Sequence, residues 1–360
     1  MPNYDLTNLA LKALCPNNEL LYDDKGIPSV MVKIPKQTLA DLGIGTSTTV
    51  HPAFKINGSE VDALYISKYQ NVVNNSRAYS LPGRAPQINV NFDNAANYCK
   101  NKGTGWHLMT RAEWALLALW CKKNGTQPLG NNSYGRDSSE SIIKAIPLTY
   151  TAEGKTMHVA TGTGPLTWSH DRTPSGIWDL NGNVWEWVGG LRTVYGEVQV
   201  LADNNAADNT KLQTAASTEW KAIDATTGAY ITPDGSGTTE NSVKIDFISN
   251  KVTYSTSITS KTDSGRSCAF ASASCDDTIS DAAKETLYAL ALLPNDTVAA
   301  NYNGDWFYFN NGAAERSFFC GGHYASGANA GVFFLSGYYS RTTAYSNIGF
   351  RSAFVELPTA

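Results

Sequence analysis

The chain is short of charge. Of its 360 residues, 28 are Lys or Arg and 32 are Asp or Glu, so 17% are charged and the formal net charge is −4. Globular proteins average about 25% charged residues. A nucleic-acid binder normally carries a basic patch, and this balance argues against one. Metal and redox spacings are also missing. Six cysteines, at 15, 99, 121, 268, 275 and 320, form no C-x-x-C pair, and the histidines at 51, 107, 158, 170 and 323 form no H-E-x-x-H. Local sequence therefore offers no metal site built on His or Cys. No apolar run reaches the roughly 18 residues of a membrane span. The first residues, Met1-Pro2-Asn3-Tyr4-Asp5, lack the basic-then-apolar profile of a secretory leader. What is present is a core: 42% hydrophobic and 11% aromatic residues exclude an acidic disordered chain. The cysteines then read as reduced, mostly buried thiols, with Cys268 and Cys275 close enough in sequence to pair in an oxidising compartment.

Apolar spacing marks several elements. Leu6, Leu9, Ala10, Ala13 and Leu14 predict a short amphipathic helix over 5–14, stopped by Pro16. Val30–Ile34 and Ala63–Tyr69 read as strands. Asp93 is placed to cap a helix through Cys99 that ends near Gly103. The strongest local signal follows: Thr110 and Glu113 form a T-x-x-E capping box, Trp114, Leu117 and Cys121 continue one face, and Gly125 suits a left-handed cap. Residues 125–175 read as mostly loop, and 191–267 as hairpins inserted into a domain. Within them Val243, Ile245 and Phe247 alternate with polar residues before a Ser249-Asn250 turn. Ser280 caps a helix through Leu292, stopped by Pro294. One α+β domain with long insertions fits this order better than two clean domains.

Three segments stand out: Gly176-Ile177-Trp178-Asp179-Leu180-Asn181-Gly182-Asn183-Val184-Trp185-Glu186-Trp187, His107-Leu108-Met109-Thr110-Arg111-Ala112-Glu113-Trp114, and Asn347-Ile348-Gly349-Phe350-Arg351 with Gly321-Gly322 upstream. In this order they resemble the formylglycine-generating-enzyme (sulfatase-modifying factor) branch of the C-type lectin fold, over roughly 30–190 and 305–356. Gly182 and Asn183 allow a tight turn. Trp185 and Trp187 share one face of an extended stretch as core anchors, with Glu186 pointing the other way. In the enzymes resembled, backbone carbonyls and an acid near this string can hold calcium, and Glu186 is the candidate acid here. Those enzymes use a cysteine pair just after the Gly-Gly motif, where thiolates bind copper. Here the stretch His323–Ala330 has no cysteine, and Cys320 lies before the glycines, so the resemblance does not extend to their oxidase chemistry.

Residues 320–354 have a peculiar palette. Arg341 and Arg351 are their only charges, and Lys, Asp, Glu, Gln, Met and Trp are absent, while tyrosines stand at 324, 338, 339 and 345. Paratopes favour this composition, because Tyr gives rigid amphipathic contact and Ser and Gly give adaptability. The segment Gly327-Ala328-Asn329-Ala330-Gly331-Val332-Phe333 and the Asn347–Arg351 ending resemble the variable proteins of diversity-generating retroelements. Those proteins display a hypervariable C-terminal patch on a C-type lectin scaffold, and their variation comes from template adenines, usually in Asn codons. Mutating the first two bases leaves a pyrimidine third, which cannot encode Lys, Glu, Gln, Met or Trp; all five are absent here.

These readings set the expectations. The fold is α+β and C-type lectin-like, with residues 1–30 a helix-containing attachment segment and 31–360 the domain, interrupted by an insertion at about 191–305. Ligand contacts fall on His323, Tyr324, Ser326, Asn329, Ser336, Tyr338, Tyr339, Thr343, Tyr345 and Asn347. Val332, Phe333, Phe334, Leu335, Ile348 and Phe350 are core; Arg341 and Arg351 bridge loops. No catalytic residue, metal ligand or cofactor is expected, calcium excepted. The resemblance implies a binder of a protein or glycan receptor on a target cell, without nucleic acid or membrane insertion, as a possible homotrimer at a phage tail tip or on a bacterial surface. The alternatives are a formylglycine-generating-type oxidase relative and a structural virion protein.

Overall fold

The computed structural model describes residues 4–358. Helix α1 (Tyr4–Leu14) leads into a five-stranded sheet of Asn18–Tyr22, Pro28–Pro35, Ala63–Ser67, Ser352–Phe354 and Trp106–Leu108, in that spatial order. The C-terminal strand thus closes between two strands from the first third of the chain, with Ala353 opposite Ile66 on one side and His107 on the other. The domain boundary expected at residue 30 falls inside a hairpin, since Leu20 pairs with Val30 and Asn18 with Val32. α1 is tied to the first strand by Asn8, whose Oδ1 accepts from the Leu20 N–H at 2.9 Å, and by a Lys12–Glu19 ion pair, while its Leu6, Leu9 and Leu14 are exposed.

The second sheet has twelve strands, and Trp185–Val194 is its hub. That strand pairs antiparallel with Glu197–Leu201 and Arg316–Cys320, and Ile348–Phe350 joins it in parallel. The stretch expected as inserted hairpins extends this same sheet. Lys244–Ile248 and Lys251–Ser255 form a hairpin whose turn residues Ser249 and Asn250 both have positive φ, the pattern a two-residue hairpin turn requires. Beyond it, Arg266–Ala269 pairs with Trp306–Phe309, which pairs in parallel with Leu335–Gly337. The insertion therefore buttresses the C-terminal segment, and the ring of Tyr338 lies against Gly265.

Three further helices pack between and beside the sheets. α2 (Phe92–Lys100) starts two residues earlier than expected: Asn91 is the N-cap and accepts from the Asn94 N–H at 2.9 Å. Asp93 is drawn away from capping by Arg341, whose Nε donates to it at 3.1 Å. α3 (Arg111–Asn124) is buried along nearly its whole length and ends at Gly125 with φ 65°. α4 (Asp281–Ala289), capped by Ser280, ends before the expected Leu292 because Ala291 turns left-handed. All six cysteines are free thiols, Cys268 and Cys275 included.

The capping box of α3 doubles as a buried polar junction. Thr110 Oγ1 accepts from the Glu113 N–H at 3.1 Å, and Glu113 Oε2 accepts from the Thr110 N–H at 2.9 Å. The other carboxylate oxygen meets His107 Nε2 at 2.8 Å and accepts from Asn204 Nδ2 at 3.1 Å. Burial opposes charge on both groups, yet their mutual attraction wins: His107 is raised and Glu113 lowered from their ordinary values. Removing one partner of such a pair strands the other. Glu113→Ala should therefore cost roughly 3–5 kcal/mol, measured by urea unfolding, well beyond the ~1 kcal/mol of a lost cap alone.

Candidate ligand-binding face

The G-N-V-W-E-W string folds as a tight turn feeding the hub strand. Gly182 has φ 81°, and a Cβ there would come within 2.2 Å of the Asn131 carbonyl oxygen. Asn183 also sits at positive φ, 64°. Its side chain clamps three segments: Oδ1 accepts from the Val159 N–H at 2.9 Å and from Asn131 Nδ2 at 3.1 Å, and Nδ2 donates to Gln70 Oε1 at 2.9 Å. As expected from strand alternation, Glu186 and Trp187 point to opposite sides. Trp187 is fully buried, edge-on to Phe92 and donating from Nε1 to the Val90 carbonyl at 2.9 Å.

Glu186 is fully buried against Arg351. The guanidinium donates from Nε and Nη2 to the two carboxylate oxygens, each at 2.6 Å, and from Nη1 to the Ser67 carbonyl at 3.1 Å. Bidentate charge-assisted bonds of this kind are among the strong ones. Asp179 lies nearby, also fully buried, with Oδ2 accepting from the Gly162 N–H at 2.8 Å and Oδ1 unpartnered. Burial first, with Glu186 adding repulsion, pushes its carboxyl up to about 6 against the pull of Gly162 and Arg351. An acid raised in this way favours folding fully below its unfolded value near 4, and that contribution disappears as pH rises through about 6. Asp179→Asn should match the wild type in stability at pH 4 and exceed it by up to roughly 3 kcal/mol at pH 7.5, read from urea unfolding at the two pH values.

Trp185 departs from the core role expected of it. It stands at the start of the parallel ladder, opposite Ile348, and is only partly buried. Its indole forms the floor of a cleft of about 430 Å³. Phe319 stacks beneath it at 4.7 Å and His323 meets it edge-on at 4.3 Å. The cleft is lined further by Tyr308, Ala325, Ser326, Asn329, Phe334, Ser336, Tyr338 and Tyr339. Tyr338 packs on Tyr339 at 4.7 Å, and Tyr339 on Tyr345 at 5.6 Å. No lining residue carries a charged side chain at neutral pH: burial, then His158, depresses His323 to about 4.

The ten expected contact residues divide. His323, Ser326, Asn329, Ser336, Tyr338 and Tyr339 line the cleft, although Ser336 is only 3% exposed. Ser326 has a second task, since its Oγ accepts from the His323 N–H at 3.0 Å. Tyr324 lies outside, with His158 edge-on at 5.2 Å and Tyr134 at 5.9 Å. Tyr345, 49% exposed, packs on Tyr339 outside the cleft, and Thr343 is partly buried on the same loop. Asn347 is the exception to a surface role. Its Oδ1 is buried and its carbonyl accepts from the Trp185 N–H at 2.8 Å, so it serves the strand start. The sequence reading missed Trp185, Ala325 and Phe334.

Residues outside the segment fix its backbone. The double glycine lets the chain leave Arg316–Cys320 sharply; at Gly322 (φ 80°) a Cβ would meet that of Ala330 at 2.4 Å. The Asn183 carbonyl accepts from the Tyr324 N–H at 3.2 Å, and the Asn132 carbonyl from the Gly327 N–H at 2.8 Å. Buried Asp305 accepts from the Phe333 N–H at 2.7 Å. Arg341 ties the outer loop to Asp93, Glu315 and the Gln213 carbonyl. Cys320, before the glycines, is fully buried, and Arg111 Nη1 lies 3.1 Å from its sulfur; burial pushes the thiol up to about 11. Among the described residues no three of His, Cys, Asp or Glu come together as a metal-binding group.

The profile of the sulfatase-modifying factor enzyme 1-like domain matches residues 53–229. Over those residues the chain is similar to the formylglycine-generating-enzyme type of domain. The match runs past residue 190 into the stretch expected as insertion and stops short of the C-terminal segment. Among solved structures, PvdO from Pseudomonas aeruginosa is similar at 14% identity, covering 93% of this chain and 97% of its own, with a TM-score of 0.32. Treponema denticola variable protein 1 is similar at 13% identity over 94% of this chain and 98% of its own, with a TM-score of 0.33. The P3c variant of the Major Tropism Determinant shares 10% identity over 90% of this chain and 62% of its own, with a TM-score of 0.29. At such identities and scores none of the three speaks to what this chain does. No curated protein sequence matches.

Proposed function

We propose that this C-type lectin-like chain is a ligand-binding protein of the retroelement-diversified kind, and that it works by recognition without bond chemistry. The observation that supports the reading is the division of labour around the cleft. Side chains of types an N-N-pyrimidine codon can encode line it at 323, 326, 329, 338 and 339, and the same segment carries Tyr324 against His323, Tyr345 against Tyr339, and Thr343. The backbone beneath them is held by Asn132, Asn183, Asp305 and Arg341. A surface built this way tolerates substitution without losing its frame. Its lack of charged side chains and its wealth of aromatic faces suit a neutral protein surface or the apolar face of a sugar, consistent with a receptor on a target cell.

The oxidase alternative finds little support in the residues: the cysteine pair is absent, and the lone thiol beside the glycines is buried and hard to ionise. The reading extends to display at a phage tail tip or a bacterial surface. There the exposed Leu6, Leu9 and Leu14 of α1 serve as attachment or trimer contacts, and several copies together raise avidity. No helix among the described residues is long and apolar enough to cross a membrane.

The test is a displayed library of the full chain, with those eight positions randomised through N-N-pyrimidine codons and panned against lysozyme. Clones that fold like the parent and bind with micromolar or better affinity are expected. Tyr338→Ala with Tyr339→Ala, in a clone that keeps both tyrosines, should weaken binding by about 30-fold or more with an unchanged melting temperature. Unfolded clones, or binding indifferent to both tyrosines, would sink the proposal.

A further inference from the structure

We propose that the side-chain amide of Gln70 does in this chain what a calcium ion can do in the enzymes whose G-N-V-W-E-W string it resembles, so that the turn is complete without the metal. Four oxygens converge on Gln70 Nε2: the carbonyls of Asp179 at 3.1 Å, Gly182 at 3.3 Å and Val184 at 3.3 Å, and Glu186 Oε1 at 3.0 Å. Three backbone carbonyls and a carboxylate are a cation's donor set. Here their centre is filled by the positive end of an amide dipole.

The orientation of that amide is fixed by its neighbours. Asn183 has its own oxygen committed to the Val159 N–H and to Asn131, so its Nδ2 must face Gln70 Oε1. Gln70 is thereby turned with its N–H groups toward the four oxygens. Gln70, Asn183, Asp179 and Glu186 are all buried. The charge is settled as well, because Arg351 donates to both oxygens of Glu186. A dication placed here would displace the amide and face the guanidinium. The oxygens also stand 3.0–3.3 Å from the nitrogen, a spacing that suits N–H···O bonds, whereas calcium draws its oxygens to about 2.3–2.6 Å. The residues present therefore do not fit the ion. This inference is independent of the ligand-binding reading, since it concerns the opposite face of the hub strand from the cleft.

The test uses the full chain, stripped with EDTA and then returned to millimolar calcium. The wild type should melt within about 1 °C of the same temperature in both and hold no stoichiometric calcium in equilibrium dialysis. Gln70→Ala in EDTA should melt lower by roughly 5 °C or more, because the buried Gly182 and Val184 carbonyls lose the amide that donates to them. Gln70→Glu adds a carboxylate to the cradle, and calcium should raise its melting temperature while leaving the wild type's unchanged. A wild type that binds one calcium per chain and gains several degrees overturns the proposal. So does a Gln70→Ala variant that melts like the wild type. The wild-type arm decides the matter even if neither variant folds.

Discussion

The buried pair between Glu186 and Arg351 is the contact on which the rest of the structure hangs. Glu186 lies on the hub strand of the large sheet, while Arg351 is the single residue between a strand of that sheet, Ile348–Phe350, and a strand of the small one, Ser352–Phe354. The guanidinium reaches the Ser67 carbonyl in the small sheet and the Trp178 and Asp179 carbonyls in the turn before the hub. One side chain thus joins both sheets and the turn. A buried ion pair adds little net stability over an apolar contact of the same shape, but it demands one geometry. Here that geometry sets where the C-terminal segment must return, and therefore where the residues between Cys320 and Ile348 can project.

Alternation along the hub strand converts this anchoring into a surface. Glu186 faces the junction, so Trp185 and Trp187 face the other way. Trp187 is covered by α2, whereas Trp185, backed by Phe319 at the start of the parallel ladder, is left partly exposed. The uncovered indole becomes the cleft floor, and the loop that leaves the double glycine supplies the walls. The buried anchor and the cleft floor are thereby separated by one residue along the strand. The insertion contributes from the other side, since its strands extend the sheet to Gly265 beneath Tyr338.

How much of this was legible follows from how local each feature is. The capping box at Thr110 and Glu113 and the Ser249-Asn250 turn depend on neighbours in sequence, and both formed as read. The cap of α2 was misplaced by two residues because Asp93 answers to Arg341, which lies 248 positions away. Trp185 and Trp187 are identical by strand alternation; only the point where the parallel partner begins tells floor from core. Asn347 looked like a surface Asn, yet the hub strand uses its carbonyl. The role of 191–305 rests on pairing between distant strands, which no periodicity encodes. Gln70 carried no local signal at all, because its partners are backbone carbonyls more than a hundred residues away.

The central claim is that residues 320–354 are a diversified surface on a fixed frame. The direct measurement is deep sequencing of this gene from a propagated population of its source. The account predicts substitutions concentrated in the codons for His323, Tyr324, Ser326, Asn329, Tyr338, Tyr339, Thr343 and Tyr345, at first and second codon positions, with Glu186, Asn183, Asp305 and Arg351 unchanged. Substitutions spread evenly along the gene, or third-base changes as frequent as the others in those codons, would contradict it.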